Sequence, residues 1–474
     1  MSTAERDPVT VFTHDWSIAR VANGVIYGLF GAYLILVLLA HTTDSVLAWH
    51  LAASTVVLGA ILGCRWAVDA FQDARYLWAS VLSVLGVSLL TLWMVYQSSS
   101  PGLGPGSNRS LGLVVVFLLT IAFFLVVTDA EQYGARDWAA IACFGVLAGI
   151  YLAHSLEYYP SSSQSRWPLW AAVVMGSSLF VLPRLVPERV FLWILPRLAA
   201  VVVVLGLATY SVGDYTLWLF EVRQYPGSSP SVPGFDPDVM TLQSIFPNPN
   251  GLGFLSFAGF VAAAIDFHRS VVAERPISAT ITAVLAGLCG LGLFLSNARA
   301  AMLAAAVALV IYVGYAVGGR RVVPVVLASS VIGLFGLIGG MYVDFIGISA
   351  TNRFELWSAS VNAIQDGPLL FGHGSGSENA VIEPYLAGDG APTPHNSYLS
   401  VIIQTGLVGG LAYVGLVVGS IVAGAIDYEN VNVAILAFVT GWAVHQFFES
   451  YTMFDWSLGA VLAALTLGYL LVDD

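Results

Sequence analysis

The sequence predicts an all-α, polytopic membrane protein with about 12–14 transmembrane helices. Of the 474 residues, 58% are hydrophobic and only 10% are charged, whereas a soluble protein has about 25% charged residues. The apolar residues recur in runs of roughly 20, the length that an α-helix needs to cross a bilayer. Such runs are too long for the strands of a membrane barrel, so helices are the expected spanning elements.

Fourteen apolar runs are candidate spans, although several are short enough that twelve crossings plus re-entrant pieces fit equally well. A polar tail, residues 1–20, precedes the first run and is expected to be cytoplasmic, with the first helix as the targeting signal. We divide the remainder into an N-terminal membrane region, 21–245, and a C-terminal membrane region, 246–474. The runs lie near residues 21–40, 46–63, 76–96, 111–128, 138–154, 167–182, 190–210, 251–266, 277–295, 300–317, 322–341, 398–426, 431–447 and 456–471.

Arginine placement predicts the orientation, because positive charge concentrates in cytoplasmic segments. All 17 basic residues are arginine. With both termini cytoplasmic in the cell membrane, eleven arginines fall in inner segments and five in outer ones, and Arg197 lies inside the seventh span. Most of the polar residues outside the spans are then extracellular, above all in a large loop spanning residues 342–397. The outer arginines, which the insertion rule disfavours, are Arg109, Arg166, Arg223, Arg299 and Arg353.

The net charge of −12 argues against nucleic acid as a partner, since nucleic-acid binding requires a basic surface. An acidic, lysine-free chain suits high salt and indicates a halophilic, archaeal source, and a GC-rich genome that favours arginine codons is the alternative. The three cysteines show no motif spacing, so we expect neither disulfides nor a thiolate metal site.

The large loop is predicted to contain an amphipathic helix lying in the outer interface. Residues 353–365 place Phe354, Trp357, Val361 and Ile364 on one helical face, with Trp357 at headgroup depth. Asp366-Gly-Pro should end the helix.

A glycine-rich run, Gly372-His-Gly374-Ser-Gly376, follows the predicted helix. Its glycines allow tight backbone turns that could gather N–H groups into an anion nest, and an ordinary turn is the alternative.

His395 lies directly before a membrane-length helix that Asn396 or Ser397 is expected to cap. A neutral imidazole at the water edge of a bilayer can take a proton from a hydroxyl, so His395 is the candidate general base. The competing interpretation is an interfacial residue at a helix start.

Arg299 and Arg353 are candidates for holding a diphosphate, since the guanidinium fork suits a pair of phosphate oxygens. Arg299 follows Ser-Asn-Ala between two apolar spans, and Arg353 starts the interfacial helix. Each could instead be a helix-end residue that extends its charge to water.

Two further polar patterns precede the eighth run. Asn248-Pro-Asn250 could bind a sugar or orient a catalytic group, although helix capping explains it equally well. Asp236-Pro-Asp238 could be a metal-binding pair, but alternating carboxylates arise easily in an acidic loop, and we predict no metal.

These residues resemble the O-antigen ligase and O-antigen polymerase superfamily over roughly residues 246–418. The C-terminal signature, followed here by Gln404-Thr-Gly406, is the most specific of the matching pieces, although Gln404 replaces the usual glutamate. The matching pieces, in order, are Asn248-Pro-Asn250-Gly, Ser296-Asn-Ala-Arg299, Arg353-Phe-Glu-Leu-Trp357 with Gly372-His-Gly374, and His395-Asn396-Ser-Tyr398-Leu399.

The resemblance implies a glycosyltransferase-C-like fold and an inverting transfer on the extracellular face, without metal or cofactor. The donor would be a glycan on a dolichyl or polyprenyl diphosphate, and the acceptor a hydroxyl of a glycan, glycolipid or glycoprotein. His395 would activate the acceptor, and Arg299 and Arg353 would hold the diphosphate. The substrate-binding or supporting residues would be Asn248, Asn250, Trp357, Gly372, Gly374, Asn396 and Tyr398.

Two other functions remain open. A flippase for lipid-linked oligosaccharides, or another transporter, would need polar residues near mid-bilayer and inverted repeats, and neither is plain in the sequence. A metal-dependent oligosaccharyltransferase using Asp236 and Asp238 would lose activity with a chelator.

Overall fold

The computed structural model describes residues 133–158, 167–217, 220–230, 238–343, 353–386, 393–451, 454–455 and 457–472, with isolated residues before residue 100. The first four predicted spans lie largely outside this range. The other ten each coincide with a helix, and seven helices in the described part are long and apolar enough to cross a membrane. The predicted class, an all-α polytopic membrane protein, is therefore confirmed.

A helix is also present where one was predicted over 353–365, as α9. The helices of the described part are α1 (Ala135–Tyr158), α2 (Trp167–Phe180), α3 (Leu182–Leu185), α4 (Glu188–Val212), α5 (Pro249–Val272), α6 (Pro276–Leu295), α7 (Arg299–Gly318), α8 (Val323–Tyr342), α9 (Arg353–Asp366), α10 (Glu378–Ile382), α11 (Ser397–Ile426), α12 (Val433–Phe448) and α13 (Leu458–Leu471).

A small antiparallel sheet adds strands to the helical class, between the seventh and eighth predicted spans. It consists of β1 (Tyr215–Leu217), β2 (Phe220–Tyr225) and β3 (Thr241–Ser244), paired in that order. β2 buries alternate side chains, and Gln224 Nε2 donates to Thr209 Oγ1 of α4 at 3.1 Å. Strands of three to six residues leave too short an alternation to stand out among apolar spans.

Small residues bring α5 close to its neighbours. A Cβ added at Gly259 would lie 2.5 Å from Ala199 Cβ of α4, and one at Gly253 would lie 2.1 Å from Ala298 Cβ, just before α7. Close backbone approach through small residues is how membrane helices commonly associate. Because α6 runs back between them, the starts of α5 and α7 lie at the same end of the helices.

α11 is broken near its first third. Gly406 has φ +67° and ψ −170°, which is not helical, and the helix resumes beyond it. α9 and α10 cover the first part of α11 through a buried cluster of Ala359, Ile382 and Ile403. The break therefore separates a covered N-terminal part of α11 from a longer C-terminal part.

Candidate functional site

α11 begins beside a strained histidine. Asn396 caps the helix, as expected: its side-chain oxygen accepts from the N–H groups of Tyr398 and Leu399 at 3.0 and 3.1 Å. The residue before it, His395, has φ +45°, in the left-handed region that few residues other than glycine occupy. Such strain persists only where surrounding contacts hold the backbone in place.

The segment after α12 provides some of these contacts. Ser397 Oγ donates to the carbonyl of Glu449 at 2.7 Å and accepts from the N–H of Tyr451 at 3.1 Å. The N–H of Asn396 donates to Ser450 Oγ at 3.0 Å. The end of α12 is thus fastened to the start of α11.

Glu449 joins three of the residues singled out in the sequence. Its Oε2 lies 3.5 Å from His395 Nδ1, and its Oε1 lies 3.2 Å from Arg353 Nη2. Asn250 Nδ2 donates to the same Oε1 at 3.4 Å. The first turn of α5, the first residue of α9, the residue before α11 and the end of α12 therefore meet at one carboxylate.

The electrostatics of this carboxylate favour its charged form. Burial raises the pKa of Glu449, but the hydrogen bond from His395 and electrostatic interactions with His445 and Arg353 outweigh it, so the pKa is lowered overall. A carboxylate that accepts from Nδ1 fixes the imidazole proton there and leaves Nε2 with a lone pair. The His395 side chain is 44% exposed against 14% for Glu449, so solvent or a substrate can reach the ring.

Arg353 holds the junction together from α9. Its Nη1 donates to the carbonyl of Phe448 and, at 3.4 Å, to that of His395, while Nη2 pairs with Glu449. A guanidinium carries five N–H donors, so these three contacts leave donors for a further anion. The contact with the His395 carbonyl directly supports the strained backbone.

Two aromatic residues support the junction from either side. Trp357 Nε1 donates to the carbonyl of Pro394 at 3.1 Å, and its ring packs edge-on against Phe447 with centroids 5.3 Å apart. The Tyr398 hydroxyl donates to the carbonyl of Ala443 at 3.3 Å, between α11 and α12. Both contacts are with protein groups, so they fit a role in supporting the fold of the site rather than in binding substrate, the two roles considered for these residues.

The start of α7 lies next to the start of α5. Asn248 caps α5 by accepting from the N–H of Gly251 at 3.2 Å. Ala298 packs on Gly253, one turn further along α5. Arg299, the next residue, is the first of α7, and its side chain is exposed. An exposed cation therefore stands at the same helix ends as Asn250.

The glycine-rich run packs on the break in α11. The N–H groups of Gly372, His373 and Gly374 each donate to a backbone carbonyl at 2.8 Å, and two of those carbonyls belong to α11 just before Gly406. Their hydrogen bonds go to the protein, so these three groups do not form the anion nest considered above. Gly372 and Gly374 support the fold of the loop instead.

Gln404, at the position where the family usually has glutamate, belongs to a buried polar chain. The Tyr151 hydroxyl donates to Gln404 Oε1 at 2.7 Å, and Gln404 Nε2 donates to Glu378. Burial raises the pKa of Glu378, and the hydrogen bond from Gln404 partly opposes that shift. These hydrogen bonds connect α1, α11 and α10. Although residue 404 is not glutamate, Glu378 provides a carboxylate beside it.

The structure brings His395, Arg353 and Asn250 together and places Arg299 at the neighbouring helix start. Sequence reasoning missed Glu449, the residue that joins them. The sequence did contain a feature that could have identified Glu449, because a carboxylate directly after an apolar span is costly unless it is paired or functional. Nothing in the sequence named its partners, which come from three distant segments.

The metal alternative rests on Asp236, which lies outside the described residues. Among the residues that are described, no group of three or more His, Cys, Asp or Glu side chains could hold a metal ion.

Comparison with known proteins gives one result that bears on function. Residues 283–414 match the sequence model of a family described as O-antigen ligase, and no curated protein matches the chain. The matched region contains Arg299, Arg353 and His395, whereas Asn250 and Glu449 lie outside it. The match supports a role in surface polysaccharide synthesis and suggests a glycosyltransferase-like enzyme. Over these residues the chain is similar to the O-antigen ligase and polymerase superfamily, as the resemblance in the sequence indicated.

Proposed function

We propose that the protein is a glycosyltransferase that acts on the extracellular face of the cell membrane. It would move a glycan from a lipid diphosphate carrier to an acceptor hydroxyl. The observation that carries the proposal is the convergence of His395 and Arg353 on Glu449, within and beside the matched family region. A base and a cation at one partly exposed site are what glycosyl transfer from a diphosphate requires.

His395 would act through Nε2. It would take the proton of the acceptor hydroxyl as that oxygen forms a bond to the anomeric carbon. The bond from that carbon to the diphosphate oxygen breaks in the same step, and its electron pair leaves with the diphosphate. Attack opposite the leaving group inverts the anomeric centre. Glu449 would keep the imidazole proton on Nδ1 and stabilise the imidazolium that forms.

The arginines would bind the donor diphosphate. Arg299 is exposed at the start of α7, whereas Arg353 is partly buried and donates to two carbonyls and to Glu449. We therefore assign Arg299 the larger share of diphosphate binding and Arg353 the phosphate nearest the histidine. These charges would stabilise the leaving group, and the mechanism requires no metal cofactor.

The test is surface-glycan profiling in a deletion strain that carries either the intact gene or a variant. His395→Ala should abolish glycan transfer and leave the lipid-linked donor accumulated on the outer face. The matched control is His268→Gln, near the far end of α5, where the ring contacts the Tyr312 hydroxyl at 3.0 Å. It should keep the intact profile.

Two outcomes would reject the proposal. An unchanged glycan with His395→Ala would remove the base from the mechanism. A donor that accumulates on the inner face would instead indicate a transporter of lipid-linked glycan.

A further inference from the structure

Three consecutive apolar side chains stand out from the loop between α9 and α10. Leu369, Leu370 and Phe371 are 45%, 58% and 54% exposed. We call these three residues the apolar tip. Scattered exposed hydrophobic residues are normal, but a contiguous exposed run indicates a surface that contacts something apolar.

The apolar tip adjoins a row of exposed apolar side chains on α11, which we call the stripe. The stripe starts one residue after the break at Gly406, whereas the covered part of the helix before the break lacks such residues. The N–H groups of Leu407 and Val408 donate to the carbonyls of Leu369 and Leu370 at 2.8 and 3.2 Å, so the tip and the stripe touch. The exposed apolar residues of the stripe are Leu407, Val408, Leu411, Val414, Val418, Val422 and Ile426.

The carbonyl groups of the loop are hydrogen-bonded within the protein. All four carbonyls from Pro368 to Phe371 accept a hydrogen bond: Gly372 donates to the first, α11 to the next two, and His154 Nε2 of α1 to the last at 2.8 Å. Irregular backbone at hydrocarbon depth is tolerated only when its polar groups are satisfied by protein.

The length of the stripe sets the depth of the tip. Residues 407–426 form the part of α11 after the break, and at 1.5 Å per residue they span about 30 Å, the thickness of the hydrocarbon layer. The break, and with it the apolar tip, then lies at the hydrocarbon margin on the side of His395.

We propose that the apolar tip inserts among the acyl chains of the leaflet on the side of His395 and holds the glycine-rich loop at the membrane surface. The occupant of this surface is lipid hydrocarbon. The inference uses only contacts and exposures of the loop and α11, so it stands independently of the proposed transfer reaction.

The experiment measures nitroxide accessibility in lipid nanodiscs. The three native cysteines are replaced, and a spin label is attached at Leu370→Cys. Collision rates with oxygen, which partitions into hydrocarbon, are compared with those of a water-soluble nickel chelate. The matched control is Glu383→Cys, an exposed position in the same loop region. Phe371→Cys is a second labelled position, in case the first variant is poorly produced.

The labelled tip should show an oxygen-to-nickel ratio several-fold higher than the control, at a depth within the first few ångströms of hydrocarbon. A ratio equal to that at Glu383 would overturn the proposal, because the tip would then lie in water. Dipolar broadening between labels on two copies would overturn it too, because the occupant would then be a second chain.

Discussion

Replacing Gly406 by alanine should show whether the loop is seated on the break in α11. At φ +67° and ψ −170°, a backbone region that is essentially restricted to glycine, an L-residue costs about 1–3 kcal/mol. The added Cβ would lie 2.2 Å from the carbonyl carbon of Leu370 and 2.3 Å from the nitrogen of Phe371. Both are backbone atoms that cannot rotate away.

The steric contact destabilises the variant by about a further 1–3 kcal/mol, either as strain or through loss of the two hydrogen bonds from Leu407 and Val408. Alanine also lowers the conformational entropy of the unfolded chain, which stabilises the folded protein by about 0.5–1 kcal/mol. The Gly406→Ala variant should therefore lose about 3 kcal/mol of unfolding free energy, the middle of the range given by these contributions.

The assay is equilibrium unfolding in mixed detergent micelles, followed by circular dichroism. The matched control is Gly419→Ala in the same helix, where an added Cβ meets nothing within 4 Å. The control should be neutral or more stable by up to about 1 kcal/mol. If both variants unfold at the wild-type detergent fraction, the loop does not pack on the break and the reasoning fails.

Three further predictions follow from the site. Asn396→Ala should cost about 1 kcal/mol of unfolding free energy through loss of the α11 cap, measured in the same assay; no loss would mean that the cap is dispensable. Glu449→Gln should lower the rate of glycan transfer by about 10–100-fold with the protein still folded; an unchanged rate would exclude Glu449 as a positioning residue for His395. Glu378 has a pKa raised from its usual 4.5 by burial, so its stabilising effect is complete below pH 4.5 and is lost as pH rises through the folded-state pKa. Glu378→Gln should therefore become more stable relative to wild type as pH increases through that window, as thermal unfolding can test, and a difference that does not vary with pH would refute this assignment.

Much of the helical framework could be predicted because hydropathy and length act locally. A run of about 20 apolar residues has few alternatives to a spanning helix, and the spacing of Phe354 and Trp357 predicted a helix where α9 lies. The residues that α9 buries are Ala359, Ser360 and Ala363, however, and Val361 of the predicted face is exposed. Asn396 was identified as a candidate cap because capping depends on neighbouring residues alone.

The remaining features depend on contacts between distant segments. The sequence shows Gly406 as one of 47 glycines, and only the loop crossing at Leu370 explains why this one breaks a helix. The role of Glu449 likewise requires α12 to end beside His395. The residues of the sheet formed by β1–β3 give too short a pattern to reveal it before α4 provides a surface to pack on.

The break in α11 lets one helix meet two different requirements. Before Gly406 the helix is covered by α9 and α10, and its first residues hold His395 in a strained backbone that would relax without Asn396, Arg353 and the segment after α12. After Gly406 its exposed residues are apolar. An unbroken α-helix would pair the N–H groups of Leu407 and Val408 with carbonyls of its own preceding turn. Because the break frees them to bind the loop, the polar site and the apolar tip are fixed to each other, and a displacement of one should disturb the other.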